Sequence, residues 1–377
     1  MKVKSKVLER RSVCLEHARS ISHEKGYFTI KDIVNRTGMP RSTVQDWINR
    51  LIGEGSVKLI QTRDGSRPAR YVSISRELPA SSCKRIFTTV DGDRVEIFHE
   101  CRSEGCLEFC EWEHGGSGGV VRSVKKEGML LHEIVTVGEG RIDLERYAVG
   151  VMDVYVKDGI VYQRIASRGG PAYSLTEMMQ FAEGVIEVRV ERHPEYIVGL
   201  ILTEALSHLT IGVDDTDLED RGATFAVTLS LLNVLSTLPG VIPIAHKVAF
   251  LKPDIPYRTV GNSVSFIELA IKPQILDTVI EESVRYLKSE TLSDETAMAY
   301  KTGFSVDSRL RAFAAKARSE KIDLDDAIEV ADRCGAGVIE VTGRRGIIGA
   351  VAALGLSGLS KDILLNPGLN LYESRYS

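Results

Sequence analysis

Hydrophobic side chains at helical spacing dominate the first 75 residues. Apolar positions recur every three or four residues in three successive segments, and each segment ends near a glycine, which commonly terminates helices. Two shorter segments then alternate apolar and polar residues, and turn-forming residues separate them. The predicted helices are 7–25, 30–36 and 41–52, and the predicted strands are 56–62 and 70–75.

The pattern changes along residues 80–207, where alternating segments predict pairs of strands. Turn residues at 91–93 and 157–158 define two hairpins, and the order of elements predicts an α+β domain. Two glycine-rich runs, 115–119 and 168–171, also stand out. Glycine lets backbone N–H groups approach a phosphate closely, but neither run matches a strict nucleotide-binding pattern, and flexible surface turns are the alternative.

An apolar strand at 209–213 opens the last region and runs directly into Asp214-Asp215-Thr216-Asp217. A helix is predicted from about residue 223 to 235, and a later strand at 337–341 meets a second helix through a glycine-rich loop. This alternation predicts an α/β domain. The whole chain is therefore expected to be an α+β multidomain protein, divided into 1–77, 80–207 and 208–377.

Composition and charge modify this picture. The 377 residues carry a net charge of −4 and are 43% hydrophobic, which excludes a fully disordered chain. Residues 1–75 contain 15 Lys and Arg against 7 Asp and Glu, whereas the remainder is acidic, so the two parts are expected to have different partners. No apolar leader begins the chain and no apolar run reaches the roughly 18 residues of a membrane span, so a cytoplasmic protein is expected.

The basic region carries side chains suited to double-stranded DNA. Those on the third predicted helix can bond to base edges or phosphates, and the arginines of the hairpin suit phosphates. The candidates are Arg41, Ser42, Thr43, Gln45, Asn49, Arg50, Arg63, Arg67 and Arg70. The segment resembles the winged helix-turn-helix domains of archaeal and bacterial transcription regulators, and a long DNA site would make a homodimer the natural form. Contact with RNA or with protein is the alternative.

The acidic run after residue 213 predicts a cation. Three carboxylates within four residues repel one another at neutral pH, and Mg2+, which prefers oxygen ligands, is usually shared with substrate phosphates. A solvated acidic turn with side-chain-to-backbone hydrogen bonds is the alternative. A second acidic pair, Asp294 and Glu295, has a simpler interpretation, because Ser293 is a predicted helix N-cap that would place both acids in the first helical turn.

Three blocks in the last region resemble a known enzyme family. They are 211–217 (I-G-V-D-D-T-D), 252–262 (K-P-D-I-P-Y-R-T-V-G-N) and 343–350 (G-R-R-G-I-I-G-A). Similar blocks occur in the same order in the kinase-like domain of the archaeal isoleucine-tRNA 2-agmatinylcytidine synthetases. That domain binds ATP and Mg2+ and phosphorylates a cytidine. The chain has no segments similar to the later tRNA-handling parts of these enzymes, so agmatidine synthesis is not expected.

The resemblance implies roles for individual residues. Asp214, Asp215 and Asp217 would hold Mg2+ and ATP, with Asp214 and Asp215 also catalytic. The synthetases have a threonine that becomes phosphorylated soon after the acidic motif, and an ungapped count places it at Thr224. The remaining nucleotide-binding candidates are Lys252, Arg258, Asn262, Gly343, Arg344 and Gly346, with Arg345 behind them. Phosphoryl transfer depends mostly on positioning and charge neutralisation, so such a set requires no His or Cys nucleophile.

A second resemblance covers more of the chain. The segments 109–112, 115–119 with 122–125, 212–217 with 222–224, and 291–299 are similar to methanogenesis marker protein 11. That archaeal family carries the same kinase-like domain and has no established reaction. The resemblance therefore implies a lineage, that of the methanogenic archaea, rather than a particular chemistry.

Clustered cysteines suggest a metal site in the middle region. Cys101, Cys106 and Cys110 lie close together in sequence, with Cys83 and two histidines nearby. Thiolates suit zinc or an iron–sulfur centre, but the C-x4-C-x3-C spacing differs from that of common zinc sites. Buried or free thiols are the alternative.

Three functional hypotheses follow. The first is a DNA-binding transcription regulator of a methanogenic archaeon, whose kinase-like domain binds Mg-ATP or a related nucleotide. The second is an ATP-dependent, kinase-like enzyme that acts on RNA or on a small molecule. The third is a metal-bearing maturation factor linked to methanogenesis. The joined basic head and nucleotide-binding body favour the first.

Overall fold

A computed structural model describes residues 2–65, 67–74, 83–169, 178–255 and 261–372. The chain divides into two compact units, Met1–Ser81 and Ser82–Ser377. Both units contain helices and strands, which confirms the predicted α+β multidomain class.

The described residues of the first unit form three helices and a two-stranded antiparallel sheet. Its elements are α1 (Lys2–Lys25), α2 (Ile30–Thr37), α3 (Arg41–Gly53), β1 (Val57–Gln61) and β2 (Arg70–Ser73). Thr29 and Asp32 form a reciprocal cap at the start of α2, and Gly38 ends it at φ +66°. Ile33 and Ile48 are fully buried, so the helical spacing of apolar residues does build the core. The predicted elements are confirmed, with α1 beginning earlier than expected.

The described part of the second unit is built on a thirteen-stranded sheet. Its strands are β3 (Cys83–Asp91), β4 (Arg94–Cys101), β5 (Val121–Glu127), β6 (Leu130–Thr136), β7 (Gly138–Glu139), β8 (Val149–Lys157), β9 (Ile160–Arg168), β10 (Val185–Arg192), β11 (Tyr196–Asp214), β12 (Val241–Phe250), β13 (Ser263–Ile271), β14 (Ala297–Thr302) and β15 (Gly337–Glu340).

Strand β11 connects the parts of this sheet. Its first half pairs with β9 and β10, its centre pairs with β3, and its last residues lie between β13 and β14. The near-continuous apolar sequence suits this position, since Ile201, Leu209 and Ile211 are fully buried. The expected division between residues 207 and 208 falls inside this strand, so the regions on either side of it share one sheet.

Helices cover the sheet of the second unit. They are α4 (Glu104–Gly116), α5 (Thr224–Leu235), α6 (Leu276–Glu290), α7 (Ser308–Ser319), α8 (Leu324–Arg333), α9 (Ile347–Leu356) and the short α10 (Lys361–Leu365). Helix α9 is apolar on every side and lies almost entirely in the core. It packs directly on β11 at Gly212, where a Cβ atom would overlap the carbonyl oxygen of Ala350. This close approach brings the start of α9 to the acidic run.

One sequence prediction about helices needs correction. The helix expected after Ser293 is absent, because residues 291–296 form an irregular segment that leads into β14. The Glu295 carboxylate instead accepts hydrogen bonds from the backbone of the loop before α9. Helix α4 was not predicted at all. A single 3-10 turn is described at Met179–Phe181. No helix among the described residues has the length and apolar character needed to cross a membrane.

Candidate functional site

The acidic run lies at the carboxyl end of β11, beside a cavity of about 120 Å³. Asp214, Asp215 and Asp217 line this cavity, which we call the acidic cavity, together with Arg345 and Asn262. Asp215 has a φ of +56°, in the left-handed region that few residues other than glycine adopt. Such backbone conformations concentrate at functional sites. The sheet therefore ends in a turn that presents three carboxylates to one space.

The electrostatics of the cavity favour a cation. Burial and the charges of Asp215 and Asp217 raise the pKa of Asp214 well above its ordinary value. Burial also raises the pKa of Asp215, although Arg345 opposes this. The Arg345 guanidinium donates to both carboxylate oxygens of Asp215, at 2.9 and 3.4 Å. One arginine therefore partly neutralises the acids, and the raised pKa values mean that a bound cation would favour their ionised form.

Threonines hold the acidic run in place. The Thr224 hydroxyl, at the first residue of α5, donates to Asp217 at 3.1 Å and accepts from the Thr216 hydroxyl at 3.1 Å. The Thr296 hydroxyl donates to the carbonyl of Asp215 at 2.6 Å. Thr224 is buried, so its hydroxyl reaches the cavity only through Asp217 in this conformation.

The loop between β15 and α9 is engaged with the segment before β14. Glu295 Oε2 accepts from the amides of Arg344 and Arg345 at 3.2 and 3.1 Å, and these bonds lower the pKa of Glu295. The Gly346 amide donates to the Glu295 carbonyl at 3.0 Å, and that of Gly343 donates to the Thr296 carbonyl at 3.3 Å. These amides are therefore occupied by protein acceptors, and the loop serves here to position Arg345.

The structure brings together only part of the predicted nucleotide-binding set. Asn262 lines the acidic cavity and donates to the Lys252 carbonyl at 2.6 Å, whereas Lys252 itself is not among the lining residues. The Arg344 side chain pairs with Glu340 on the surface at 3.0 Å, so Arg345 rather than Arg344 faces the acids. Arg258 lies outside the described residues. The role of Glu295 was missed, because an acid just before a strand carries no signal of its own.

Mg2+ would need ligands from a bound phosphate as well as from the protein. In the part of the chain that the structure describes, no group of three or more His, Cys, Asp or Glu residues is placed to hold a metal ion by itself. Mg2+ is usually held by one or two carboxylates and completed by phosphate oxygens and water. The acidic cavity fits that arrangement, with Asp214 and Asp217 as donors beside the pair of Asp215 and Arg345.

The cysteines form a second polar cluster, separate from the acidic cavity. Cys83 and Cys101 lie opposite each other on β3 and β4, and hydrogen bonds to Cys106 raise the pKa of both Cys101 and Cys110. A hydrogen bond from Cys101 and the nearby His99 lower the pKa of Cys83 to about 5. The described residues include no set of three such ligands with metal geometry, so zinc or iron–sulfur binding by Cys101, Cys106 and Cys110 stays a prediction.

Some of the candidate DNA-binding side chains of the first unit make contacts within that unit. Gln45 donates to Asn49 at 3.1 Å, and Arg50 pairs with Asp46 at 3.2 Å. The Arg70 guanidinium lies 4.2 Å from the ring centroid of Tyr27. The other candidates are largely exposed: Arg41, Ser42, Arg63 and Arg67, with Thr43 partly so.

Comparison with known proteins identifies an archaeal family. No protein-family model matches the chain. An uncharacterized protein of Methanocaldococcus jannaschii is 30% identical over 286 residues, which cover 73% of this chain and 93% of the relative. This chain belongs to the family of that archaeal protein.

The same comparison finds a more local similarity to an enzyme. The 2-agmatinylcytidine synthetases that act on an isoleucine tRNA in Pyrococcus horikoshii and Saccharolobus islandicus are each 32% identical, over 151 and 162 residues. Each match covers 39% of this chain and 35% of the synthetase, so the chain spans about a third of the length of these enzymes. The structure of a synthetase complex with this tRNA and ATP is 22% identical over 39% of this chain, with a TM-score of 0.35, too low to carry an argument.

These relatives overturn the preferred functional hypothesis. The relatives found with an assigned activity are the 2-agmatinylcytidine synthetases that act on an isoleucine tRNA. The prediction of a DNA-binding transcription regulator is therefore wrong, as is double-stranded DNA as the partner of the basic head. The expected homodimer loses its argument as well, since it rested on a long DNA site. Basic charge on a helix indicates a polyanion but does not identify which one.

Proposed function

We propose that the protein is an ATP-dependent enzyme that acts on RNA, with its reaction centre at the acidic cavity. The observation that carries the proposal is the convergence of three carboxylates, Asp214, Asp215 and Asp217, with Arg345 at one strand end. This convergence occurs in a chain that is 32% identical over 151 residues to an RNA-modifying synthetase.

The roles follow from charge. Asp214 and Asp217 would bind Mg2+, which supplies neutralisation of the phosphate oxygens when it is bound. Arg345 would contact a phosphate while its bond to Asp215 keeps the guanidinium in place. Asn262 also lines the cavity and would orient the nucleotide. Its φ of +30° is another positive value at this site. The γ-phosphoryl group would pass to an RNA hydroxyl, whose proton leaves to a carboxylate or to solvent, and ADP would be released.

Three finer assignments belong to this proposal. The order of three helices and a two-stranded sheet supports a winged helix-turn-helix fold for the first unit. The segments similar to methanogenesis marker protein 11 support membership of that family. Thr224 is proposed as a site of phosphorylation, and its hydrogen bond to Asp217 means that the loop would have to open first.

ATP turnover tests the proposal directly. The full chain is incubated with Mg-ATP, with and without total archaeal RNA, and the same is done for Asp215→Asn and for the matched control Asp220→Asn. Asp220 is exposed and lies outside the cavity lining. We expect RNA-stimulated ADP release that falls about a hundredfold in Asp215→Asn and stays within about twofold in the control. Absence of both ATP binding and turnover would overturn the proposal.

A further inference from the structure

A long basic groove lies in the second unit, outside the acidic cavity. Its volume is about 980 Å³, and it runs between β5, β12 and the start of α10. We call it the basic groove. Its charged and polar lining consists of Glu111, Arg122, Ser123, Lys125, Lys126, Glu127, His246, Lys247, Ser360, Lys361 and Asp362. The chain beyond residue 75 has a negative net charge, so a cluster of cations on three separate elements is unusual in this region.

Cations exceed carboxylates along the groove by five to three. Lys126 pairs with Glu111 at 3.0 Å, and Lys247 and Lys125 share Glu127 at 2.6 and 3.6 Å. Arg122 and Lys361 are exposed and add positive charge beyond these pairs. A groove that keeps excess positive charge along its length fits a chain of phosphates better than a single anion.

An exposed aromatic side chain lies at one end of the basic groove. Trp112, on α4, is 70% exposed, which is unusual for the largest apolar side chain. It lines a hollow of about 550 Å³ together with Tyr147, and this hollow shares Glu111, Gly115 and Lys126 with the groove. The two rings are 6.4 Å apart and tilted by 48°, so Trp112 leaves a face open.

Tyr147, the aromatic neighbour of Trp112, is packed against the end of α4. The Tyr147 ring lies directly over Gly116, where a Cβ atom would overlap the ring. Glycine is therefore required at the end of α4 for this packing. Rigid aromatic side chains make good binding surfaces because little conformational entropy is lost on contact.

We propose that the basic groove binds an unpaired RNA strand, with its phosphates along Arg122, Lys125, Lys247 and Lys361 and one base stacked on Trp112. Basic grooves that end in aromatic platforms are the usual means of holding single strands, since every base has a face that can stack. A duplex keeps its bases stacked internally and leaves none for Trp112. The inference rests on the proposed function, because it names the form of RNA that the enzyme would hold.

The groove is on the same sheet as the acidic cavity. Lys247 lines the groove, and Leu251, just beyond the end of β12, lines the cavity. The few residues of extended chain between them span about 13 Å. A strand in the groove can therefore present a nearby nucleotide to Asp214 and Arg345.

Tryptophan fluorescence tests the contact locally. The chain has two tryptophans, and Trp47 is buried in the first unit, so Trp112 is the exposed reporter. The full chain is titrated with a short oligouridylate without ATP. We expect quenching of Trp112, and a loss of affinity of about tenfold to a hundredfold in Trp112→Leu, measured with a labelled oligomer. A strand bound to the first unit would leave Trp112 emission unchanged.

Charge variants test the groove itself. Arg122→Glu combined with Lys361→Glu should weaken binding of the oligouridylate at least about tenfold at about 0.1 M salt. The slope of log affinity against log salt concentration should become shallower by about 1.4. The matched control is Arg285→Glu with Lys288→Glu, at exposed positions of α6, and it should change neither the affinity nor its salt dependence. All variants are first compared by thermal unfolding, and a folded Trp112→Phe variant that retains affinity supports stacking.

Several results would overturn the inference. They are an equal loss in the control pair, binding of an RNA duplex as tightly as the single strand, and no quenching at any salt concentration. If ATP turnover with RNA persists while the oligomer fails to quench Trp112, the groove inference falls and the proposed function stands. If the oligomer binds through the groove but ATP is neither bound nor turned over, the proposed function falls alone.

Discussion

Adjacent arginines in the loop before α9 provide the sharpest test of the acidic cavity. Arg345 donates to Asp215 through two nitrogens and lines the cavity, whereas Arg344 points to Glu340 on the surface, where both side chains are 55% exposed. Replacing either residue with methionine removes one positive charge and keeps a long side chain. The two variants therefore differ only in which direction the lost charge faced.

The expected loss follows from the contacts. A hydrogen bond to a charged group contributes about 1.5–3 kcal/mol, which corresponds to a factor of about ten to a hundred in affinity. We expect Arg345→Met to weaken ATP binding by that factor, since the phosphates would lose a guanidinium and meet an uncompensated Asp215. Arg344→Met should change ATP affinity by less than about threefold, because exposed ion pairs contribute about 0–1 kcal/mol.

Calorimetric titration with ATP and Mg2+ measures both variants, and chemical unfolding without nucleotide confirms that each is folded. Arg345→Met should also lose about 1 kcal/mol of unfolding free energy, a modest value because the Arg345 side chain is 39% exposed. The reasoning is refuted if Arg344→Met weakens ATP binding as much as Arg345→Met does. That result would mean that Arg344 turns toward the cavity when ATP binds.

Three further outcomes are expected. Because the folded pKa of Asp214 lies above its unfolded value, the free energy of unfolding should fall as pH rises from the unfolded pKa through that raised pKa, and urea unfolding of Asp214→Asn should lack this fall. The pKa of Cys83 is lowered to about 5 by Cys101 and His99, and that of His99 is raised to about 9 despite its burial, so the folded pair binds one proton fewer than the unfolded pair between about pH 5 and 6.5 and the same number from about 6.5 to 8.5; thermal stability should rise over the first range and level off over the second, and Cys83→Ser combined with His99→Gln should lack the rise. A Cβ at Gly349 would overlap Asp214 Oδ2, so Gly349→Ala should cost about 1–3 kcal/mol and weaken ATP binding, whereas Gly105→Ala in α4, where nothing lies within 4 Å, should be neutral or stabilising.

Local patterns predicted the parts of this protein that depend on neighbours in sequence. The apolar spacing of α2 and α3 and the hairpin turn between β8 and β9 required no knowledge of distant residues, and both were predicted to within a few positions. Glu295 shows where this fails. Its position after Ser293 satisfies a rule for helix N-termini, yet its carboxylate binds backbone amides about fifty residues later in the chain. Tertiary contacts of this kind override local propensity and leave no local signal.

Residue types alone also explain why DNA was predicted wrongly and why the sequence could not distinguish Arg344 from Arg345. Counting charges identified a basic first unit correctly, but charge indicates phosphate and does not separate DNA from RNA, since both present it. Arg344 and Arg345 are equivalent in the sequence block, and only the direction in which the loop leaves β15 makes one face Asp215 and the other Glu340. A site formed where three distant segments meet is therefore predictable as a set of residue types. Which member of each segment enters the cavity depends on geometry such as the left-handed turn at Asp215 and the close contact of α9 with Gly212.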